Sequence, residues 1–476
     1  MAVGVGLFLL AAASVRAGAW QPDGGYLGLA GTQLSTTGPT TGSTTGPTAA
    51  LGLAGAGAAG GVSGAGVADG AAGPAGPGRA TSPPAGPTDE ASRRTRQAMA
   101  LLQQRAAAVL ARDRAAWMAT VADSSSDFGG AQARLFDTLM RLGVDRFGYD
   151  QIAPSQALPS AVEVGPGGPA WVAKVAGHYA LRGFDRGLRD FAASYTFVQL
   201  DQGWRIRGEA AGGENSAQVW DLNGLRVIRG ASSLVVGNAP ENQMRYYGHE
   251  ADRAVSRVSA VWGVSWPRKV VVFTPATTAQ FAQLLGRPVD DGLSQVAAVT
   301  QGPLGSGERA GADAVVVNPS AFRQLRPIGR QVVLTHEVTH VAIRASTTQG
   351  VPVWLSEGMA DYVGYRGTGL SRVVVAAELL ARVRRGQGPV ALPRAEDYDP
   401  GRTAIAPSYS ASWLACSRLA DLYGQARLVA FYRAVAQTPG GDRDAVASAA
   451  FPKLFGVGRS GFVSGWRGYL TRLAAT

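Results

Sequence analysis

The spacing of apolar residues changes along the chain, and each change marks a different kind of predicted element. In the stretch 88–143, leucine, alanine, valine and tryptophan recur every three or four positions, which is typical of amphipathic helices. The spacing then falls to two in GPAWVAKVAGHYAL and in FAASYTFVQLDQGWRIRGEA, which indicates strands. Two β-rich halves of the second stretch flank Asp201-Gln202-Gly203, so we expect a hairpin there.

A second set of predicted elements begins near residue 215. Short apolar runs predict strands at 225–228, 234–236, RKVVVFTP, QVAAVTQG and DAVVVNP. Helical spacing separates them in ENQMRYYGHEADRAVSRVSAVWG and TTAQFAQLLG, and it dominates from IGRQVVLTHEVTHVAIRA onward. The sequence therefore predicts an α+β protein. A helix and antiparallel strands over 88–212 precede a small mixed sheet and a mainly helical C-terminal half over 215–476.

Glycine and proline are concentrated in one segment. The chain of 476 residues contains 64 glycines and 26 prolines, and they crowd into residues 20–87, where TTGPTTGSTTGPT precedes an Ala/Gly tract. This segment has too little apolar bulk to offset the entropy of ordering it, so we expect a disordered linker over 20–87. The whole length exceeds one ordinary hydrophobic core, which favours two or three domains.

The first 19 residues have the features of an export sequence. The apolar run Ala2–Val15 precedes Ala17-Gly18-Ala19, a small-x-small pattern suited to signal peptidase. We expect residues 1–19 to be a signal peptide or, if uncleaved, a membrane anchor; the alternative is an apolar N-terminus of a cytoplasmic protein. The protein is therefore expected outside the cell, either secreted or tethered by this segment to the outer face of the membrane or to the cell wall.

The charge distribution limits the expected partners, and the cysteine count limits the expected thiol chemistry. The net charge of +11 comes almost entirely from scattered arginine, because Lys174, Lys269 and Lys453 are the only lysines. No basic run with interleaved aromatic residues occurs, so we expect no nucleic-acid partner, and we expect a monomer. The single cysteine, Cys416, excludes an intramolecular disulfide. Its apolar, helical surroundings favour a buried thiol over a nucleophile.

The stretch THEVTHVAIRA, residues 335–345, contains two of the four histidines of the chain. His336 and His340 are about one helical turn apart, so both imidazoles can direct a nitrogen at one ion. Glu337 lies about 100° further round the helix, where it can reach a water beside that ion without binding the ion itself. The alternative is a helix whose histidines are merely buried, which is energetically costly without compensating partners.

A third ligand has to come from another segment. The stretch PVWLSEGMADYVGY begins a second helix that carries Glu357, and Gly358 beside it is expected to let the two helices approach closely. Asp361, one turn later, can accept the free ring N–H of a ligand histidine. Catalytic zinc takes three protein ligands and keeps a fourth position open. His336, His340 and Glu357 therefore predict one Zn2+.

The pair HEVTH and WLSEGMADY resembles the gluzincin zinc metallopeptidases, specifically their peptidase MA-like domains, over about residues 215–476. The resemblance implies that the strand DAVVVNP edges the cleft and pairs with extended substrate. The residues that it implies are the ligands His336, His340 and Glu357, the general base Glu337 and the supporting carboxylate Asp361.

A donor for the negative charge that develops on the substrate carbonyl is also needed. Gluzincins carry a tyrosine some tens of residues after the glutamate ligand, which implies Tyr409 in APSYSASWLACSRLADLYG. A packing role for Tyr409 stays open, as does a catalytic role for Tyr362 or Tyr365 in its place. The acidic stretch RAEDYDPGR, residues 394–402, is expected to be a solvated loop rather than a cleft wall or a calcium site.

The phrases LLQQRAAAVLARDRAAWMATV and YTFVQLDQGWRIRG are similar to the NTF2-like (SnoaL-type) cone domains, over residues 88–212. The resemblance implies a structural module or a binder of small ligands. His178 is expected to be a strand histidine with satisfied hydrogen bonds, and His249 an ordinary helix residue.

The sequence thus predicts an exported zinc metallopeptidase that hydrolyses peptide or protein substrates. Zinc lowers the pKa of water and polarises the scissile carbonyl, while Glu337 takes the proton and later delivers it to the leaving amine. The alternative is a catalytically inactive zincin fold, or an NTF2-like binding module with a structural zinc site.

Overall fold

The computed structural model describes residues 87–154, 163–165, 168–210, 212–213, 215–289, 293, 296–302, 310–399 and 405–476. The predicted signal peptide or anchor and all but the last residue of the predicted linker lie outside these ranges. The described residues form a mixed α+β fold with 14 α-helices and two five-stranded sheets. None of these helices combines the length and hydropathy needed to cross a bilayer.

The predicted helices and strands lie along the chain in the predicted order, and the strands Val144–Pro154 and Glu163–Gly165 are additional to them. The described residues after 318 contain helices and no strand. The helices are α1 Pro87–Ala111, α2 Arg114–Met118, α3 Asp127–Leu142, α4 Glu241–Trp262, α5 Thr278–Leu284, α6 Pro319–Gln324, α7 Pro327–Arg344, α8 Val353–Tyr365, α9 Arg372–Val375, α10 Ala377–Arg384, α11 Ala406–Tyr423, α12 Gln425–Gln437, α13 Arg443–Phe455 and α14 Arg459–Ala475. The strands are β1 Val144–Pro154, β2 Glu163–Gly165, β3 Gly168–Leu181, β4 Arg189–Leu200, β5 Gly203–Glu209, β6 Arg226–Arg229, β7 Ser233–Gly237, β8 Val270–Thr274, β9 Ala298–Gln301 and β10 Ala314–Val317.

The first sheet is antiparallel and packs against the long first helix. Its order is β1-β3-β4-β5, and β2 pairs with β3. Leu102 of α1 is buried in one cluster with Trp171 and Phe197 of the sheet. The predicted hairpin is present, since β4 and β5 pair from Leu200 opposite Gly203. Gly203 has a φ of 100°, a conformation that favours glycine at the turn.

Strand β1 is absent from the sequence prediction because its buried residues do not alternate. Val144, Phe147 and Ile152 face the core, at spacings of three and five. The register of β1 against β3 shifts twice along the strand. Each such bulge inserts an unpaired residue and moves the following side chains to the other face of the sheet. The period of two is therefore lost in the sequence although the strand is 11 residues long.

The second sheet is small and mixed, as predicted, and has the order β6-β7-β8-β10-β9. Strands β7, β8 and β10 are parallel, and the outer strands β6 and β9 run antiparallel to their neighbours. The expectation that DAVVVNP edges a cleft is wrong, because β10 is hydrogen-bonded to β8 on one side and to β9 on the other. The edge strand beside the site is β9, from the predicted strand QVAAVTQG.

Two apolar clusters cover the two faces of this second sheet, and the described residues between 92 and 476 pack as one compact unit. One cluster joins the sheet to α4, α7, α8 and the C-terminal helices. The other joins Leu234 and Phe273 of the second sheet to Leu139 and Phe191 of the N-terminal region. Apolar side chains of the N-terminal region therefore share a core with the second sheet, while the boundary between the domains 88–212 and 215–476 stays a prediction.

Candidate metal centre

Helices α7 and α8 carry the predicted ligands and pack against each other. Helix α7 begins at Pro327, where proline is tolerated because the first-turn N–H groups have no partner in the helix. Every residue from Val332 to Ile343 is buried, so this part of α7 is enclosed on all sides. His336, Glu337 and His340 consequently lie within the protein interior, where an uncompensated polar group is costly.

Three donor atoms meet between the two helices. The Nε2 atoms of His336 and His340 are 3.1 Å apart. The Oε2 atom of Glu357 lies 3.2 Å from the His336 nitrogen and 3.5 Å from the His340 nitrogen. Among the residues that the structure describes, these are the only three His, Cys, Asp or Glu side chains grouped closely enough to hold a metal ion.

The spacing of these atoms fits a tetrahedral metal ion. Zinc binds imidazole nitrogen and carboxylate oxygen at about 2.0–2.2 Å, so the corners of its tetrahedron are about 3.3–3.6 Å apart. The three separations here run from 3.1 to 3.5 Å. Two imidazoles and one carboxylate also form a donor set that zinc accepts. Three protein ligands leave one tetrahedral corner for water or substrate.

Asp361 lies behind this cluster and fixes one of its imidazoles. Its Oδ1 atom is 2.8 Å from Nδ1 of His336. An ionised carboxylate only accepts hydrogen bonds, so Nδ1 carries a proton, and in the neutral imidazole Nε2 then presents its lone pair to the cluster. Burial by itself lowers the pKa of His336, but the charges and hydrogen bonds of Asp361 and Glu357 raise that pKa well above its usual value.

Glu357 is held in its ionised form. Burial raises the pKa of its carboxyl group, but the charges and hydrogen bonds of His340 and His336 outweigh burial and lower that pKa to about 2. The carboxylate is therefore available as a metal ligand at neutral pH.

Glu337 lies outside the donor group but close enough for both imidazole charges to act on its carboxyl group. Its Oε2 atom accepts a hydrogen bond of 2.5 Å from Oγ1 of Thr300 in β9. Its Oε1 atom is buried and has no hydrogen-bond partner among the described residues. Burial raises the pKa of Glu337 above its usual value although the histidines oppose the rise. A raised pKa suits a carboxylate that takes up a proton near neutral pH.

Two glycines allow α8 to pack closely against its neighbours. A Cβ atom on Gly358 would lie 2.4 Å from the main-chain oxygen of Ser412 and 2.7 Å from Sγ of Cys416, both in α11. A Cβ atom on Gly364 would lie 3.1 Å from the main-chain oxygen of Val332 in α7. Gly358 thus permits the approach of α8 to α11, and it is Gly364 that faces the histidine-bearing helix.

The tyrosine predicted to assist the reaction lies beside the cluster. The ring of Tyr409, in α11, is 6.3 Å from the ring of His336. The ring of Tyr398 meets Tyr409 edge-on at 5.1 Å, and its hydroxyl is hydrogen-bonded to Ser412. Tyr398 belongs to a 3-10 turn, Ala395–Tyr398, and its ring packs beside the site, whereas Arg394 and Asp399 of the same stretch are exposed, as expected of a solvated loop. Sequence reasoning did not single out Tyr398.

The two alternative tyrosines make contacts elsewhere. The hydroxyl of Tyr362 donates to Oε1 of Gln425 at 3.3 Å. The ring of Tyr365 packs on Trp413 with the ring centres 4.8 Å apart. Among the ring contacts of the described residues, Tyr409 is the candidate that lies against a predicted ligand histidine.

The remaining predicted candidates lie apart from the candidate metal centre. Nδ1 of His178 is 2.7 Å from Oδ1 of Asp150 on the neighbouring strand, which agrees with a satisfied strand histidine. His249 lies in α4 and outside the donor group. Cys416 is fully buried in α11, and burial raises the pKa of its thiol, so it is present as an inert thiol rather than a nucleophile.

Comparison of the chain with protein-family models and with curated proteins found no match.

Proposed function

We propose that this protein is a zinc-dependent peptidase whose site lies between α7 and α8. The observation that carries the proposal is the triangle of Nε2 of His336, Nε2 of His340 and Oε2 of Glu357, with sides of 3.1 to 3.5 Å. Beside it lies Glu337, a buried carboxyl group with one oxygen that has no partner among the described residues. A buried acid beside a three-ligand cluster suits water-dependent hydrolysis.

The residues of the chain have separate tasks in this proposal. His336, His340 and Glu357 would hold the zinc ion, which supplies a Lewis acid that acidifies water and polarises a carbonyl group. Glu337 takes a proton from the attacking water as the new C–O bond forms, and it delivers that proton to the leaving amine as the C–N bond breaks. Asp361 keeps His336 in the tautomer that faces the cluster.

Tyr409 is proposed to donate a hydrogen bond to the carbonyl oxygen as negative charge develops on it. Support comes from its position, because its ring lies 6.3 Å from that of His336. Burial raises the pKa of Tyr409 well above its usual value, and the nearby charge of Glu357 adds to the rise. The hydroxyl therefore keeps its proton at neutral pH and stays a donor.

A purely structural zinc site is less well supported. Structural sites enclose the ion with four protein ligands. The described residues offer three here, and no fourth His, Cys, Asp or Glu joins the group. Three ligands leave room for a reacting molecule, which is the arrangement of catalytic sites.

We also propose that the protein acts outside the cell and acts on peptide or protein substrates. Residues 1–19 would direct export, residues 20–87 would separate the folded part from a membrane or cell wall, and residues 88–212 would form an NTF2-like domain. N-terminal sequencing of the mature protein tests export: a first residue near position 20 is expected, and an intact Met1 in a cytoplasmic fraction would contradict it.

The central experiment compares the wild type with Glu337→Gln, which keeps the shape of the side chain and removes its ability to accept a proton. Metal analysis should give one zinc per chain for both proteins. Cleavage of casein and of a quenched-fluorescent peptide library should fall at least about 100-fold in the variant. Glu241→Gln, at an exposed ion pair in α4, is the matched control and should leave cleavage unchanged.

The outcomes separate the alternatives. Absence of stoichiometric zinc in the wild type would end the proposal. Equal cleavage by wild type and Glu337→Gln would remove Glu337 from its role as base. One zinc per chain with no cleavage of any peptide would favour the inactive binding module.

A further inference from the structure

Thr300 is the polar residue of β9 that reaches the metal site. It is 1% exposed and lies on the edge strand of the second sheet. Its neighbour Ala298 lies in the apolar cluster shared with α7, whereas Val299 lies in the cluster on the opposite face. Because side chains alternate along a strand, Thr300 points with Ala298 toward α7.

The hydroxyl of Thr300 has two acceptors within reach, both from Glu337. Oγ1 lies 2.5 Å from the carboxyl oxygen Oε2 and 3.0 Å from the main-chain oxygen. A hydroxyl has a single proton to donate. The main-chain oxygen lies within α7, where it already accepts the helical hydrogen bond from the N–H of the residue four positions later. The carboxyl oxygen is closer and receives the stronger, charge-assisted bond when Glu337 is ionised.

This contact makes the two oxygens of Glu337 unequal. Oε2 is occupied by the donor from Thr300, and a lone pair that already accepts a hydrogen bond is a poorer site for a new proton. Oε1 is buried and has no hydrogen-bond partner among the described residues. With a proton on Oε1, Oε2 is still an acceptor, so the bond from Thr300 persists in both protonation states.

We propose that Thr300 is a positioning residue for Glu337: its hydroxyl holds Oε2, fixes the orientation of the carboxyl group and leaves Oε1 as the oxygen that exchanges the proton during peptide hydrolysis. The inference rests on the proposed function, since it assigns the atoms of the same base. It adds a strand residue 37 positions away from Glu337 to a site otherwise built from helices.

The test uses three single variants of the full chain with zinc bound. Thr300→Val keeps the shape of the side chain and removes the hydroxyl, and Thr300→Ser keeps the hydroxyl. Thr274→Val is the matched control, because Thr274 is a buried threonine in β8 of the same sheet whose hydroxyl bonds only a main-chain oxygen among the described residues. Cleavage of one quenched-fluorescent peptide selected on the wild type gives kcat and KM separately.

We expect Thr300→Val to lower kcat about 10- to 100-fold with KM and zinc content unchanged, because the base is misplaced and not removed. Thr300→Ser should recover kcat to within about threefold, and Thr274→Val should match the wild type. In a Glu337→Gln background, Thr300→Val should cause no further loss, since both changes act through one group. Wild-type kcat in Thr300→Val, no recovery by serine, or an additive loss in the double variant would each overturn the assignment.

A second readout does not depend on activity. In the zinc-free protein, Thr300→Val should lower the urea midpoint of unfolding, and it should lower it less in a Glu337→Ala background, where the acceptor is gone. If Thr300→Val shifted the urea midpoint equally in both backgrounds, the hydrogen bond between Thr300 and Glu337 would be contradicted. A wild type that binds zinc and cleaves nothing would instead end the peptidase proposal, and the catalytic role of Thr300 with it, whatever the urea midpoints show.

Discussion

At the scale of single residues, the contact between Asp361 and His336 has a direct consequence for metal binding. Asp361→Asn keeps an oxygen that can accept the Nδ1 proton, but it removes the negative charge that raises the basicity of the imidazole. We expect zinc affinity to fall about 10- to 100-fold, as is usual when a ligand histidine loses its supporting carboxylate. Competition with a chelator of known zinc affinity measures the change.

Asp421→Asn is the control for this prediction. Asp421 forms an ion pair of 2.6 Å with Arg372 at the surface, and its loss should leave zinc affinity at the wild-type value. Equal zinc affinities for Asp361→Asn and the wild type would show that the hydrogen bond alone, without the charge, supports His336.

The grouping of His336, His340 and Glu357 could be predicted because helix geometry relates residues that are close in sequence. Positions four apart share a helix face, and a short reversal brings the next helix back beside the first. Thr300 could not be predicted in the same way. It is 37 positions from Glu337, and its place depends on which strand lies at the edge of the sheet, which no local pattern records.

At the scale of elements, the packing of α8 on α11 positions the carboxylates of the site. Gly358→Ala would place a Cβ atom 2.4 Å from a main-chain oxygen of α11, which cannot move without moving that helix. We expect the free energy of unfolding to fall by about 1–3 kcal/mol, as for other overpacked sites. Zinc affinity should fall as well, since Glu357 is adjacent in α8. Urea denaturation and chelator competition measure the two effects.

A second glycine provides the contrast for this variant. Gly465 lies in α14, and nothing lies within 4 Å of the position of its Cβ atom. Gly465→Ala should therefore raise the free energy of unfolding by about 0.5–1 kcal/mol through helix propensity alone. If Gly358→Ala behaved like Gly465→Ala, the close contact of α8 with α11 would not be a constraint on the site.

Most helices and strands of the described residues could be predicted from periodicity, and the exceptions have physical causes. Strand β1 could not be predicted from a period of two, because two bulges place its buried residues at spacings of three and five. The sequence of β10 predicts a strand, but it does not show whether that strand lies at the edge or in the interior of the sheet, because valine-rich runs suit both positions. It pairs with β8 and β9, and the partner β8 is about 40 positions earlier in the chain, beyond the reach of a local pattern.

At the scale of the whole molecule, the buried Arg189 links the first sheet to the loop before β10 through a hydrogen bond, and its charge is paired within the first region. Arg189 pairs with Asp185 at 2.7 Å and donates to the main-chain oxygen of Asp313 at 3.1 Å. Arg189→Met would leave the Asp185 carboxylate buried without its partner, which typically costs about 3–5 kcal/mol of stability. Because an apolar cluster also joins the two regions, we expect residues 92–210 and 215–476 to lose protection together. Hydrogen exchange followed by mass spectrometry in rising urea measures both regions in one experiment.

Two comparisons make the result specific to the buried contact. Arg245→Met breaks an exposed ion pair with Glu241 and should cost less than about 1 kcal/mol. Replacing both partners, with Arg189→Met and Asp185→Leu, should recover part of the loss, because no unpaired charge is then left in the interior. Early exchange confined to 92–210, with 215–476 still protected, would show that the two regions unfold as separate domains. In that case the shared apolar cluster would contribute little to the stability of the candidate metal centre, and α7 and α8 would hold their geometry without the N-terminal region.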